Sequence, residues 1–161
     1  MILDIKTYPD KILRQKTRPI DRVDETTKKL IDDMIETLYV KRGAGLAANQ
    51  VGEVKRIAVV DAGDGVKVLI NPEILSRQGS IISTEGCLSF PGIELKIKRP
   101  TEIEVAYLNQ RGESKKNKAS DLLARVICHE LDHLDGQTML DRVGLWQKIK
   151  TYYKLLRKKQ I

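Results

Sequence analysis

Histidine and cysteine, the side chains that most metal and redox chemistry draws on, are scarce here: two of each in 161 residues. Two cysteines are too few for a disulfide framework, and in a reducing compartment a lone cysteine is more often a small apolar residue than a ligand. No apolar run approaches the roughly 20 residues that a membrane-spanning helix needs. Aromatic residues make up 4% and charged residues 32%, which fits a soluble protein, while 41% hydrophobic residues suffice for a core. The opening "MILDIKTYPDKILRQK" carries Asp4 and Asp10 and does not read as a signal or transit peptide, so cytoplasmic residence is expected. Neither G-x-x-x-x-G-K-[ST] nor a strand-linked G-x-G-x-x-G occurs, so no nucleotide cofactor is expected. Repeats, low-complexity tracts and Ser/Gly/Pro linkers are absent too. Residues 1–161 are therefore expected to form a single domain.

What is present is unevenly placed. The net charge of +7 gathers toward the end. After Asp141 there is no carboxylate side chain, while Lys148, Lys150, Lys154, Arg157, Lys158 and Lys159 follow. Leu30, Ile31, Met34, Ile35 and Leu38 recur at helical spacing after Asp24, a good cap, and Gly43 is expected to close that helix. Short strand-like runs follow: "RIAVV", "KVLINP", "SIIS", "IELKIK" and "EIEVAYLN", with "NQRGE" as a reversal. A second helix, capped by Ser120 or Asp121, runs through "LLARVICHELDHL". A basic third helix occupies 143–161 as part of the same domain. Strands grouped between helices argue an α+β fold, with small antiparallel or mixed sheets packed around the second helix, rather than a doubly wound α/β one.

Both histidines lie on that second helix, in "HELDH". Four residues advance a helix by about 400°, so His129 and His133 project from one face and can reach a single ion. Glu130 lies beside them and can lean toward a water on that ion without being a ligand. Leu122 and Val126 fall on the same side, which fits a site sunk into the interior. A catalytic centre usually takes a third protein ligand. Asp135 and Asp141 are candidates downstream; Asp132 points away from the imidazole face and suits a supporting role. The stronger candidate is upstream. Cys87 sits in "EGCLSFPG" among polar residues, unlike Cys128, which reads as helix-core packing. Sulfur with two imidazoles suits zinc or iron(II). "GAGLAANQ" at 43–50 lets backbone approach a ligand closely, and Gln50 at its end is a neutral donor for a developing negative charge.

"GAGLAANQ", "EGCLS" and "HELDH" stand in the order and approximate separation of the three motifs of peptide deformylase. With "YPDKILRQK" and "INPEI" also similar, the chain resembles that family over nearly its whole length. The resemblance implies a hydrolase of N-terminal processing that removes the formyl group from the N-terminal formyl-methionine of newly made polypeptides and releases formate. It implies Cys87, His129 and His133 as metal ligands, with iron(II) the typical physiological ion and zinc or nickel able to replace it. Glu130 would take a proton from the attacking water and pass it to the departing amine. Gln50 and the backbone N–H of Leu88 would hold the oxyanion, and Gly45 would bind substrate backbone. Leu122, Val126 and Ala44 would line the methionine pocket. Asn49 occupies a variable position of its motif and is given no role; Cys128 stands where glutamine is common. Arg99 either pairs with Glu85 behind the metal loop or is a surface residue.

The resemblance also implies ribosome contact through the last helix. The alternative for that helix is an amphipathic packing of Leu145, Trp146, Tyr152, Leu155 and Leu156 on the body. The rival activity is a zincin-like metallopeptidase with a downstream ligand and no use for Cys87.

Overall fold

The computed structural model describes residues 1–158; Lys159, counted above in the basic helix, and the last two residues lie outside the described residues. Three helices, α1 (Glu25–Val40), α2 (Asp121–Leu134) and α3 (Leu145–Lys158), surround seven strands: β1 (Gly45–Ala47), β2 (Ile57–Val60), β3 (Lys67–Gln78), β4 (Ile81–Gly86), β5 (Glu94–Arg99), β6 (Glu102–Leu108) and β7 (Ser114–Ser120). The expected α+β class holds. One sheet has the order β1-β2-β3-β6-β7 and the other is the β4-β5 pair, with every strand pairing antiparallel. Among the described residues no helix is long and apolar enough to cross a membrane.

The larger sheet is buried on both faces where β2 crosses it. Side chains alternate across a strand. Ile57 and Val59 pack with Ile31, Met34 and Leu38 of α1, whereas Val60 joins Leu69, Val126, Ile127 and Leu131 on the α2 side. That is why "IAVV" is apolar at every position instead of alternating. A third cluster joins the small sheet (Leu95, Ile97) to Phe90, Ile93, Met139 and Leu140. Tyr8 stacks on Phe90 at 5.1 Å between ring centroids.

Several local expectations change. Asp24 does cap α1, accepting from the Thr27 N–H at 2.8 Å. The left-handed residue after the helix, however, is Arg42 (φ 54°), not Gly43. Gly43 is needed for space: a Cβ there would sit 3.0 Å from Leu38 and from Leu88. Ser120 is the N-cap position of α2 but makes no side-chain capping bond. Strand β3 continues six residues beyond the expected end at Pro72. A register shift against β6 falls between Ile70 and Glu73, and Asn71 adopts φ 51° within it. A bulge is one of the few places where a sheet tolerates proline. The side chain of Asn71 holds the turn by pairing with both the N–H and the carbonyl of Ile20.

Strands β1 and β7 were not foreseen. β1 is three residues long, and β7 reads "SKKNKAS", with only Ala119 buried. Lysines on a sheet edge discourage pairing with another chain, and the same property removes the apolar alternation by which strands are found. The packing proposed for α3 holds only for Leu155, which joins the third cluster. Leu145, Trp146, Tyr152 and Leu156 are exposed, Trp146 at 85%. Thr151 is the residue of α3 that is buried.

Candidate metal centre

Three segments meet at the middle of the molecule. α2 brings His129 and His133 to one face, with ring centroids 5.0 Å apart. β4 delivers Cys87 just past its end. β1 and the short 3-10 turn Ala48–Val51 place Gly45 and Gln50 alongside. Cys87, His129 and His133 each present one ligand atom, all within 4.8 Å of one another. Cys87 Sγ lies 3.2 Å from His133 Nε2. Asp135 and Asp141 do not join them: Asp135 pairs with Arg56, and Asp141 with Arg14 and Thr138.

The donor set fits a divalent cation. His129 Nδ1 lies 3.0 Å from the Glu85 carboxylate, which orients the ring and leaves Nε2 toward Cys87. Burial lowers His129, but its hydrogen bonds to Cys87 and Glu85 outweigh that and hold it well above the ordinary value. His133 is pushed well below the ordinary value by burial, then by the charges of His129 and Arg99, so its ring is neutral and able to ligate.

Behind the ligands lies a buried ionic lattice. Arg99, 4% exposed, donates to Glu85 at 2.8 and 3.0 Å and to Asp132 at 2.6 Å. Arg142 also binds Asp132. Arg99 is therefore no surface residue. Burial works against ionising Glu85, yet the bonds from His129 and Arg99 bring its carboxyl down to about 2. The expected supporting role of Asp132 is seen as this bridge between "HELDH" and "EGCLS".

Glu130 is 3% exposed, its Oε2 has no hydrogen-bond partner among the described residues, and burial pushes its carboxyl up to about 7. A carboxyl poised there can both accept and release a proton near neutrality. Gly45 makes the room: a Cβ on it would lie 2.7 Å from Glu130 Cδ and 2.8 Å from Cγ. Gln50 is held through its Oε1, which accepts from the Ala47 N–H at 2.8 Å. Its Nε2 donates to Ser89 Oγ at 3.0 Å and lies 3.5 Å from Cys87 Sγ, facing the ligands. Ala44, Gly45, Gln50, Leu88, Leu122 and Val126 all line one cavity of about 490 Å³ with His129 and Glu130. Cys128 faces away in the α2 core, where burial pushes its thiol up to about 11.

One structural residue escaped the sequence reading. Asn49 is fully buried, and its Nδ2 donates to the His133 carbonyl and to the Gln15 carbonyl, tying the glycine loop to the metal helix. Its only signal was its place inside "GAGLAANQ".

The family model described as polypeptide deformylase matches residues 2–148. Peptide deformylase 1 of Clostridium acetobutylicum is 47% identical over 143 residues, spanning 89% of this chain and 95% of that protein. The Acetivibrio thermocellus peptide deformylase is 49% identical over 139 residues, 86% of this chain and 82% of that protein. The crystal structure of a Legionella pneumophila peptide deformylase superposes with a TM-score of 0.94 at 34% identity, covering 99% and 96% of the two chains. That of Ehrlichia chaffeensis in complex with actinonin gives 0.94 at 37% identity, covering 99% of each. On these matches, and with the three motifs gathered around one cluster of ligand atoms, the chain belongs to the peptide deformylase family.

Proposed function

We propose that this chain is a metal-dependent hydrolase that removes the formyl group from the N-terminal formyl-methionine of newly synthesised polypeptides, releasing formate, and that residues 1–161 act as one catalytic domain. The observation that carries the reading is the convergence of Cys87, His129 and His133 within 4.8 Å beside the buried carboxyl of Glu130. Those three residues hold the ion; iron(II) is the physiological occupant, with zinc or nickel able to substitute. When bound, the cation supplies Lewis acidity toward a carbonyl oxygen and acidifies water near neutral pH.

The chain's own groups do the rest. Glu130 takes a proton from water through the oxygen that has no other partner, then returns it to the amine that leaves. The Gln50 amide exchanges its long contact with Cys87 Sγ for the oxyanion, joined by the backbone N–H of Leu88. Fixed by its Oε1, that amide needs little reorganisation, and one such donor is worth about 2.7–4 kcal/mol in the barrier. Gly45 contacts the substrate backbone. Leu122, Val126 and Ala44 receive the methionine side chain; a close apolar fit discriminates by about 1–3 kcal/mol per methylene.

Work in the cytoplasm and contact between α3 and ribosomal RNA complete the reading. Lys148, Lys150, Lys154 and Arg157 make no ion pair among the described residues, which supports an unneutralised surface for phosphate. Salt-sensitive cosedimentation with ribosomes, lost on truncation after Leu145, is expected; salt-independent binding or none removes the contact. A zincin-type peptidase finds no support, because Asp135 and Asp141 are engaged elsewhere. The deciding assay measures formate from a formyl-Met peptide with anaerobically prepared protein of known metal content. Glu130→Ala is expected to slow it by about 10²–10⁴-fold. Equal turnover by both proteins overturns the mechanism.

A further inference from the structure

A second cavity, of about 450 Å³, lies along the back of α2 and shares no lining residue with the substrate cavity. Cys128, Leu131, Asp132 and Asp135 form its floor at helical spacing, roughly 130° round the helix from the imidazole face. β3 supplies Glu73 and Arg77 to the lining, and β5 supplies Lys98 and Arg99. Arg56 and Arg142 bring the count to five cationic side chains against three carboxylates. Most of these charges are matched. Arg56 pairs with Asp135, Asp132 holds both Arg99 and Arg142, and Glu85 reaches Arg99 from the metal side. Arg77, Lys98 and Glu73 make no ion pair among the described residues, which leaves the lining with a net positive charge. The Arg77 guanidinium and the Lys98 ammonium are therefore free to donate. Arg142 bonds through Nε and Nη2, so its Nη1 is free as well.

Two guanidinium groups and an ammonium around one small cavity suit a compact anion with at least three acceptor oxygens better than a lone carboxylate. The cavity also touches the metal centre indirectly. Arg99, the buried cation of its lining, bonds Glu85, and that carboxylate lies 3.0 Å from His129 Nδ1. We propose that this cavity is a second binding site, for phosphate or a phosphate monoester held by Arg77, Lys98 and Arg142 Nη1, whose occupancy strengthens retention of the metal ion. The inference needs the metal centre but not the deformylation reaction. A dianion behind the ligand turn offsets the positive charge of the lining, so a cation on the far side of the helix is repelled less. Such coupling is reciprocal: the bound metal raises affinity for the anion by the same factor.

Calorimetric titration of the zinc-loaded full chain with inorganic phosphate and with glycerol 3-phosphate tests the site at neutral pH. A Kd of about 1 mM is expected for at least one of them, because a few charge-assisted hydrogen bonds only modestly exceed the cost of confining a small ion. Tighter binding of the glycerol ester marks a monoester as the occupant; tighter binding of the inorganic ion marks free phosphate. Arg77→Gln and Lys98→Gln should each weaken binding by about fivefold, the two together should abolish it, and Glu73→Gln should tighten it. All three side chains belong to exposed residues, so the variants keep the fold, which an unchanged Tm verifies. Zinc loss to a chelator should slow by about fivefold in phosphate relative to chloride at equal ionic strength, and should not slow in the double variant. Binding that survives the double variant, as phosphate ligating the zinc or an adventitious ion only would, overturns the site. So does the absence of saturable binding of either anion. Zinc loss at one rate in both salts overturns the link to the metal.

Discussion

Replacing Gly45 by alanine should disable Glu130 without touching it. Gly45 is not among the glycines with left-handed φ, so the substitution adds a methyl group and no backbone strain. That methyl would sit 2.7 and 2.8 Å from Cδ and Cγ of Glu130, and closer still to Oε1. Carbon atoms rest at about 3.5–4.0 Å, so the carboxyl must withdraw by about 1 Å. Because Glu130 is 3% exposed, the displacement cannot be taken up by swinging into solvent. A 1 Å error in placing a reacting group costs about 10²-fold, or about 2.7 kcal/mol in the barrier. Crowding should lower stability by about 1–3 kcal/mol, which thermal unfolding would register separately. The assay is steady-state formate release by wild type, Gly45→Ala, Glu130→Gln and the double variant. We expect kcat to fall about a hundredfold in Gly45→Ala, and to fall little further when alanine is added to Glu130→Gln, because the two changes act through one group. A near-normal kcat in Gly45→Ala refutes the reasoning. So does a full hundredfold penalty persisting in the Glu130→Gln background, which would move the role of Gly45 to substrate contact alone.

Arg99→Met removes the buried cation that Glu85 and Asp132 share, leaving them only His129 and Arg142, and breaking such a buried ionic cluster costs about 3–5 kcal/mol. Thermal unfolding should show a Tm lower by about 10 °C, whereas a change of one or two degrees would mean the lattice is dispensable. Cys87→Ser exchanges sulfur for a harder oxygen, so competition with a chelator should show affinity falling by more than the roughly 10–100-fold lost with an outer hydrogen-bond partner; unchanged affinity would exclude Cys87 as a ligand. Asp141 is opposed by burial but held below the ordinary carboxylate value by the Thr138 N–H and by Arg14. Its contribution is therefore complete above the ordinary carboxylate range and is lost as pH falls through the depressed folded value. Asp141→Asn should be less stable at neutral pH and show a shallower loss in acid; a curve parallel to wild type contradicts this.

The sequence exposed the chemistry more fully than the architecture. His129, Glu130 and His133 were legible because helix geometry converts a spacing of four into a shared face. Cys87 was legible because a cysteine among Glu85, Gly86 and Ser89 is out of keeping with packing. β2 and β6 announced themselves through branched apolar residues. β7 could not, since its lysines meet solvent on an edge, and β1 was too short to show a period. The course of β3 past Pro72 depends on a bulge that only the partner strand reveals. The bonds from Asn49 to His133 and from His129 to Glu85 join residues more than 40 positions apart, and no local pattern encodes them.

β7 ends at Ser120 and α2 begins at Asp121, with no intervening loop and a single left-handed residue making the corner. The lysine-rich border of the sheet is thus the mooring of the helix that bears both imidazoles. With no slack at that corner, any fraying of the border is handed directly to the ion's cradle, so amide exchange along residues 114–120 would serve as a remote gauge of how firmly the cation is gripped.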